Sequence, residues 1–343
     1  MKNMGLSLLG AGCVTPLGRD WKTVWDRIRK NQPPEISTLQ GPDCPAPVEV
    51  YKTPLPEVPE RVAARLRRSA GISYFACAAA EDAVRNSGVL PGGRMALVYA
   101  TSDGSVAYTR RFYKDVLARG TGSPLLFPET VYNAPASHIA AMLGLDGVVL
   151  TLVNDATVGL SALATAADLI FSGEADQCLV VAAEELDWIT CEGYRRWGLT
   201  TPSGRSRRGA VLTEGAVALV VGPADPAHAQ ILHVHSGKLL SRGASRHRKI
   251  VQILGETTRG ETPGVAVLSS SGPDHQEEYS VRECFSGIPT LVPKAVAGEA
   301  FAVSSLLQCL CGWESLEASG RAVIPVLGWS GQISCALLAA PEG

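Results

Sequence analysis

The segment Thr151–Leu163 has the pattern of a strand that turns into a helix, an arrangement that many enzymes use to hold a nucleophile. A β-branched run, TLV, stops at a short polar turn, and a helix of small residues follows, VGLSALATAADLIFSG. The first N–H groups of such a helix stabilise negative charge at the turn. The turn contains Asn154, Asp155, Ala156 and Thr157. Because alanine has no nucleophilic group, this elbow has the architecture for covalent chemistry without the residue that performs it.

Hydrophobic periodicity predicts the elements that position this elbow. Strands are predicted at LSLLGAGCV, RMALVYAT, VVLTLV, QCLVVAAEE and AVALVVG, and again at AQILHVHSGKLL and GVAVLSSSG. Helices are predicted at DWKTVWDRIRKN, at ERVAARLRRSAGISYFACAAAEDAVRNSG as one or two helices ending at Gly88, at SHIAAMLGL with Ser137 as its cap, and at AFAVSSLLQCLCGWESL. A proline-rich loop covers about Pro33–Pro59, and AVIPVLGWSGQISCALLAA is predicted to be a closing hairpin.

The pattern of strands and helices occurs twice along the chain. ALVYATSDGS and VAVLSSSGPD are both apolar strands that end in a small polar turn, and PADPAHA has the composition of a linker. We therefore predict two related halves, residues 1–222 and 229–343, in an α/β fold. Helices rich in alanine and glycine allow close approach, so we expect them to be packed tightly between sheets.

The composition excludes several classes of function. The 343 residues are 46% hydrophobic and 19% charged, with a net charge of −2. This balance argues against broad nucleic-acid binding, which needs a basic surface. The apolar run near the N-terminus is short and broken by glycine, so neither a signal peptide nor a membrane span is predicted. Nine scattered cysteines without a CxxC pair predict buried thiols in a reducing cytoplasm.

Several other side chains could do chemistry, but each has a simpler interpretation. Thr157 has a hydroxyl without a visible base, which favours helix capping. His138 lies in a predicted helix and is interpreted as structural, near a subunit interface. His233 and His235 alternate on a predicted strand, but no third ligand is evident. We therefore predict no metal site.

Four blocks of the sequence resemble the β-ketoacyl synthase branch of the thiolase fold. They are GAGCVTPLG, FPETVYNAPASHIAAMLGLDG, GLSALATAADLIFSGEADQCLVVAAEE and LTEGAVALVV. The resemblance covers nearly the whole chain and is densest from Phe127 to Val221. It implies a five-layered α-β-α-β-α duplication that forms dimers. It also implies a reaction in which a cysteine accepts an acyl chain from an acyl carrier protein, while two histidines support decarboxylation of the malonyl extender.

The residues at the family's catalytic positions differ from the family pattern. Ungapped counting between GLSAL and GEADQCLVVAAE puts the nucleophile position on Ala156. The first histidine position falls on Ser271, and the second on Glu299 in PKAVAGEAF, where Lys294 is retained. Trp329 lies where the family often has a gating phenylalanine. Serine and glutamate do not replace a neutral imidazole near pH 7, and we expect a carboxylate at position 299 to repel the malonyl group.

The resemblance also gives an interpretation of the charged clusters. Glu184, Glu185 and Glu214 correspond to acidic residues that are structural in the family. The basic clusters are either a solvated face or a docking surface for an acidic carrier protein. The docking candidates are Arg65, Arg67, Arg68, Arg205, Arg207 and Arg208, with a further cluster at Arg242, Arg246, Arg248 and Lys249.

These positions together predict a chain length factor-like (KSβ) subunit, the catalytically silent partner of a ketosynthase in a type II polyketide or polyene system. In that family the two subunits form a heterodimer, and the acyl tunnel runs along their interface. The chain would need no cofactor, because the substrate is carried on the phosphopantetheine of a partner acyl carrier protein. The predicted tunnel and interface residues are Leu126, Phe127, Tyr132, Asn133, His138 and Trp329.

Two alternatives remain open on the sequence alone. The first is a malonyl-carrier decarboxylase or another enzyme with residual acyl-transfer activity, which would need the histidine pair. A short slip in the alignment would bring His275 to the site in place of Ser271. The second is a homodimeric scaffold that binds acyl groups in the old pocket.

Overall fold

The computed structural model describes residues 5–42, 44–200, 210–240, 245–269 and 276–342. Its strands are β1 (Leu6–Val14), β2 (Ser37–Leu39), β3 (Val48–Tyr51), β4 (Met95–Thr101), β5 (Val149–Val153), β6 (Gln177–Glu184), β7 (Leu212–Thr213), β8 (Gly215–Pro223), β9 (Gln230–Leu239), β10 (Val265–Val267), β11 (Thr290–Leu291), β12 (Arg321–Leu327) and β13 (Gln332–Ala339). Its helices are α1 (Trp21–Arg29), α2 (Glu60–Leu66), α3 (Gly71–Ser87), α4 (Val106–Arg119), α5 (Ala134–Leu143), α6 (Val158–Phe171), α7 (Trp188–Arg196), α8 (Ser245–Thr258), α9 (Gln276–Cys284), α10 (Lys294–Ala297) and α11 (Ala302–Ser319), with a 3-10 turn at Phe127–Glu129.

Two half-sheets with the same strand order form the centre of the molecule. From the centre outward the first half runs β1-β8-β6-β4-β5, and the second runs β9-β13-β12-β10-β11. Strands β1 and β9 join the halves through a short antiparallel pairing that begins at Leu6 and Ile231. The two strands whose sequences echo each other, β4 and β10, take the same place in each half. The predicted duplicated thiolase-like α/β fold is therefore confirmed, while the boundaries 1–222 and 229–343 stay a prediction.

Helices cover both faces of each half-sheet, which produces five layers. Along β4, Ala96, Val98 and Ala100 face α6 and α11 in the middle layer, whereas Leu97 and Tyr99 face α3 and α5. Successive side chains of a strand point to opposite faces, so a strand buried on both sides is apolar throughout. Helices α8 and α9 cover the outer face of the second half-sheet.

Small residues set the distance between these layers, as the sequence predicts. A side chain at Gly159 in α6 would meet the carbonyl oxygen of Ala302 at 2.8 Å. In β1, a side chain at Gly12 would approach the backbone nitrogen of Ala83 in α3 to 2.7 Å. Substitution at either glycine would therefore push a helix away from its neighbour, at a cost typical of overpacking.

The structure corrects three details of the sequence analysis. Helix α5 begins at Ala134, so Ser137 lies inside it and does not cap it; its hydroxyl donates to the carbonyl of Asn133. The proline-rich segment 33–59 contains β2 and β3, which form a small sheet with β7. Helix α4 has no counterpart among the predicted elements. None of its side chains is buried, so its hydrophobic pattern does not show a core-facing stripe.

The cysteines agree with the prediction of free, mostly buried thiols. All nine are unpaired, and only Cys284 is exposed. Cys309 and Cys311 lie in the core between the half-sheets, as expected for packing residues. Within the described ranges, no helix is long and apolar enough to cross a membrane.

Candidate functional site

The elbow between β5 and α6 is a closed and strongly hydrogen-bonded turn. The Ala156 side chain is buried in the core between the half-sheets. Asp155 accepts through Oδ1 from the backbone N–H of Thr157 at 3.1 Å and from its hydroxyl at 3.0 Å. The carboxylate therefore supplies the cap that the sequence analysis assigned to this group, and Thr157 makes no side-chain cap bond of its own. The Thr157 hydroxyl donates to this same carboxylate and lies 3.3 Å from Oε1 of Gln332, so its contacts are those of a structural turn.

The turn between β12 and β13 holds the elbow from the second half of the chain. Ser330 donates from its backbone N–H to Oδ2 of Asp155 at 3.2 Å, and its hydroxyl donates to the same oxygen. The amides of Asn154 and Gln332 exchange two hydrogen bonds of 2.9 and 3.0 Å. A side chain at Gly328 would collide with the Asp155 carboxylate. These contacts place Trp329, which lies between Gly328 and Ser330, directly beside the elbow.

Glu299 forms a buried ion pair with Lys294. Oε2 of Glu299 accepts from Nζ of Lys294 at 2.6 Å, and the two side chains are 3% and 4% exposed. Oε1 accepts from the backbone N–H of Phe301 and from the hydroxyl of Ser304, both at 2.8 Å. The sequence analysis expected Glu299 to present a repelling carboxylate; in the structure Lys294 compensates its charge. The carboxylate is a structural acceptor within the site.

The other residues singled out in the sequence lie at several places. His138 contacts Glu129 at 2.8 Å and Ser69 at 3.0 Å through the same nitrogen, Nε2, so it cannot relay a proton between them. Phe127 and Tyr132 are 56% and 48% exposed, Asn133 is exposed, and Leu126 is half-buried. Arg65, Arg67 and Arg68 are exposed. Ser271, His275, Arg205, Arg207, Arg208 and Arg242 lie outside the described residues.

The two histidines of β9 lie in different surroundings. His233 is buried, and burial lowers its pKa. The Nδ1 of His235 lies 2.8 Å from the carbonyl oxygen of Ser236. Among the described residues, no cluster of three or more histidine, cysteine, aspartate or glutamate side chains could hold a metal ion.

Helix α4 carries an apolar face that the sequence analysis missed. A groove of about 840 Å³ runs between α4 and α7, with Tyr113 and Leu117 on one wall and Trp188 and Ile189 on the other. Leu117 is 86% exposed and Tyr113 is 59% exposed. The spacing of Thr109, Tyr113 and Leu117 at every fourth residue was the signal available in the sequence.

Strand β5 forms the outer edge of the first half-sheet and is also partly uncovered. Its Val149 and Val153 are 39% and 48% exposed, and the strand carries no charge or proline. Such an edge is a template for pairing with another chain. We define the uncovered face as the apolar surface of α4, the 3-10 turn Phe127–Glu129 and β5.

Glu184 positions the loop that leads into α4. It accepts from the backbone N–H of Ser102 at 2.5 Å and of Asp103 at 3.2 Å. Burial, together with the negative charge of Asp103, raises the pKa of Glu184 to about 8. Burial also raises the pKa of Asp103, whose carboxylate accepts from the hydroxyl of Tyr194. The structural interpretation of Glu184 fits these contacts.

The stability of the protein should fall as the pH rises from about 5 to 8. The pKa of Glu184 lies near 8 in the folded state, against a reference value of 4.5. Between these values the folded state holds a proton that the unfolded state has released, so rising pH favours unfolding. Glu184→Gln should flatten this dependence by up to about 1.4 kcal/mol per pH unit. Urea denaturation at each pH measures the effect, with Glu57→Gln at an exposed position as the control. An unchanged slope in Glu184→Gln would contradict the assignment.

Comparisons with known proteins give a consistent picture. Residues 6–227, more than half of the chain, match the family described as "Beta-ketoacyl synthase, N-terminal domain". The chain is 23% identical to Nodulation protein E of Rhizobium leguminosarum bv. trifolii over 296 residues, which cover 81% of this chain and 68% of the relative.

Two solved structures share the fold over almost the whole chain. One is the ishigamide ketosynthase/chain length factor, with a TM-score of 0.80, 17% identity, and coverage of 98% of this chain and 99% of the other. The second is AntDE:AntF, a type II PKS acyl-carrier protein in complex with its ketosynthase bound to the hexaketide. Its TM-score is 0.80 at 16% identity, with coverage of 99% of this chain and 100% of the other.

Proposed function

This chain belongs to the β-ketoacyl synthase family, and we propose that within it the chain is a chain length factor-like, non-catalytic subunit of a type II polyketide or polyene synthase. The observation that carries the proposal is Ala156. A buried methyl group occupies the strand-to-helix elbow, where an acyl transferase of this architecture needs a nucleophile. The scaffold around the elbow is intact, so what this chain lacks is the reactive group and not the fold.

The contacts of Glu299 support the same proposal. At the position that we align with a catalytic histidine, the carboxylate already has three hydrogen-bond donors, which are Lys294, Phe301 and Ser304. A carboxylate that is held as an acceptor by three donors has no N–H or O–H to offer, so it cannot donate the hydrogen bond that would polarise a substrate carbonyl. The decarboxylase alternative needs an imidazole pair, which makes it the weaker proposal.

A non-catalytic subunit acts by binding its catalytic partner, and the uncovered face is suited to such binding. Tyr113 and Leu117 of α4, Phe127 and Val153 present apolar side chains to solvent. Monomers rarely expose large apolar patches unless another molecule covers them. The solved structure of a ketosynthase/chain length factor shares this fold. We therefore propose a catalytic ketosynthase as the partner and an acyl carrier protein as the source of the acyl chain.

In this proposal the chain controls product length by steric exclusion. Each methylene of a growing acyl chain gains only about 0.8 kcal/mol from burial. Forcing a further group into a filled site costs roughly 1–3 kcal/mol. A bulky residue that closes the tunnel therefore outweighs the gain from one more methylene. Our candidates at the interface are Leu126, Phe127, Tyr132 and Asn133, together with Trp329.

The test is co-expression with the ketosynthase and acyl carrier protein of the same biosynthetic system. We expect a stable one-to-one complex and no covalent acyl mass on this chain. In the complex, Phe127→Ala should lengthen or broaden the product distribution, because the ring occupies tunnel volume. The readouts are native mass spectrometry and product chromatography.

Two outcomes would contradict the proposal, and a third would correct one of its residues. An acyl adduct on Thr157 or on a cysteine would show that the chain is an acyl-transfer enzyme. A homodimer that does not exchange with the ketosynthase would favour the acyl-binding scaffold. A soluble Phe127→Ala complex with an unchanged product distribution would remove Phe127 from length control.

A further inference from the structure

Three aromatic rings form a closed triangle at the β12–β13 turn that holds the elbow. Tyr194 of α7 stacks on Phe301, with ring centroids 4.8 Å apart and an interplanar angle of 24°. Trp329 meets both rings edge-on, at 5.2 Å from Phe301 and 5.4 Å from Tyr194. Such offset and edge-to-face arrangements stabilise aromatic pairs beyond the area they bury. The triangle is therefore a cohesive unit that links α7, the start of α11 and the β12–β13 turn.

Phe301, one of the three residues of the triangle, has a strained backbone. Its φ is 46° and its ψ is −112°, a left-handed conformation that a bulky residue rarely adopts. Strain of this kind persists only where the surroundings hold the residue in place. Here the backbone N–H of Phe301 donates to Oε1 of Glu299 at 2.8 Å, and Lys294 holds the other oxygen of that carboxylate at 2.6 Å.

The backbone of Glu299 is itself anchored to the rest of the site. Its N–H donates to the carbonyl of Val211 at 2.8 Å, and its carbonyl accepts from the N–H of Thr213 at 2.9 Å. Glu299 therefore joins a fixed strand to the strained residue, and a change in its side chain should release Phe301 without moving the strand.

The triangle spans the two segments that flank the elbow. Ala302, the residue after Phe301, lies so close to α6 that its carbonyl would meet a side chain at Gly159 at 2.8 Å. On the other side, Ser330, the residue after Trp329, donates to the carboxylate of Asp155. The rings of Phe301 and Trp329 are in contact and so join these two segments.

We infer that Phe301, with Tyr194 and Trp329, forms an aromatic plug that closes the approach to Ala156, and that Glu299 is the positioning residue that holds the plug in place. The plug adds a closed elbow to the proposed non-catalytic function. Its role in polyketide synthesis rests on that proposed function. An elbow closed in this way excludes an acyl thioester even if position 156 carries a nucleophile. The substitutions at 156 and 299 would then act together, one removing reactivity and the other closing access.

The test measures access to a thiol placed at the elbow. In Ala156→Cys, iodoacetamide labelling of position 156 should be slow, and adding Phe301→Gly should accelerate it by at least about tenfold. Glycine adopts the left-handed conformation without strain, so this change removes the ring and keeps the turn. Adding Glu299→Gln should give a smaller acceleration. The control is Phe285→Ala, which removes a buried phenylalanine from the outer layer of the second half-sheet and should leave the labelling rate unchanged.

Peptide mass spectrometry reads position 156 separately from the native cysteines. Cys309 and Cys311 are buried in the core and report unfolding if they become labelled. If Phe301→Gly leads to labelling of Cys309 and Cys311, Trp329→Ala replaces it as the second substitution in Ala156→Cys. This variant removes a different ring of the plug and should also accelerate labelling of position 156. Rapid labelling of Ala156→Cys alone, or equal rates with and without Phe301, would overturn the plug. Either result would leave complex formation with a ketosynthase untouched, so the two proposals fail separately.

Discussion

Replacement of Glu299 by alanine should lower the free energy of unfolding by about 3–5 kcal/mol. The variant leaves the ammonium of Lys294, which is 4% exposed, buried without its partner. It also removes the acceptor for the N–H of Phe301 and for the hydroxyl of Ser304. Breaking one side of a buried pair costs more than removing both sides, because the remaining charge has no compensation. Urea denaturation followed by fluorescence measures the loss.

A double variant separates the charge from the hydrogen bonds. Lys294→Met with Glu299→Gln removes both charges and keeps an amide oxygen for Phe301 and Ser304, so it should recover most of the stability. The matched control is Asp176→Ala, which breaks an exposed ion pair with Arg94 and should change stability by less than about 1 kcal/mol. A Glu299→Ala variant as stable as this control would show that the buried pair does not contribute as described.

Placing a carboxylate on the uncovered face should abolish pairing with the ketosynthase. Leu117 is 86% exposed on α4, so Leu117→Asp should leave the isolated chain folded. In the proposed complex the same carboxylate would be buried without a partner. We expect the affinity to fall at least about 100-fold, which corresponds to about 2.7 kcal/mol. Co-purification and analytical ultracentrifugation of the co-expressed chains measure the complex.

The control for this variant is Leu90→Asp. Leu90 is 88% exposed in the loop after α3, outside the uncovered face, and gains the same charge. It should pair normally. Equal affinity of the Leu117→Asp and wild-type chains would exclude α4 from the interface, and loss of pairing in both variants would point to a general effect of charge.

Local pattern was sufficient to predict most of the elements. Strands such as β4 and β6 are buried on both faces, so apolar residues occupy most positions along them. The elbow at Ala156 was predicted from a β-branched run, a short polar turn and a helix of small residues. Helix α4 was missed for the opposite reason. Its apolar side chains face outward, so its pattern is not tied to the core that periodicity detects.

The site depends on contacts between residues that are distant in sequence. Asp155 meets Ser330 across 175 positions, and Asn154 meets Gln332 across 178. Two half-sheets that pack against a shared middle layer bring these turns together, and no local signal encodes that proximity.

The sequence by itself determined the fold class, the resemblance to the β-ketoacyl synthases and the alanine at the elbow, because these depend on residue identity and local periodicity. Only the tertiary structure decided what Glu299 does. Read alone, it is an acidic residue that should repel an anionic substrate. In the folded chain it is neutralised by Lys294 and bonded to the backbone of a strained Phe301. The effect of a buried charge depends on the groups that compensate it and donate hydrogen bonds to it. The packing of the whole domain determines which groups those are.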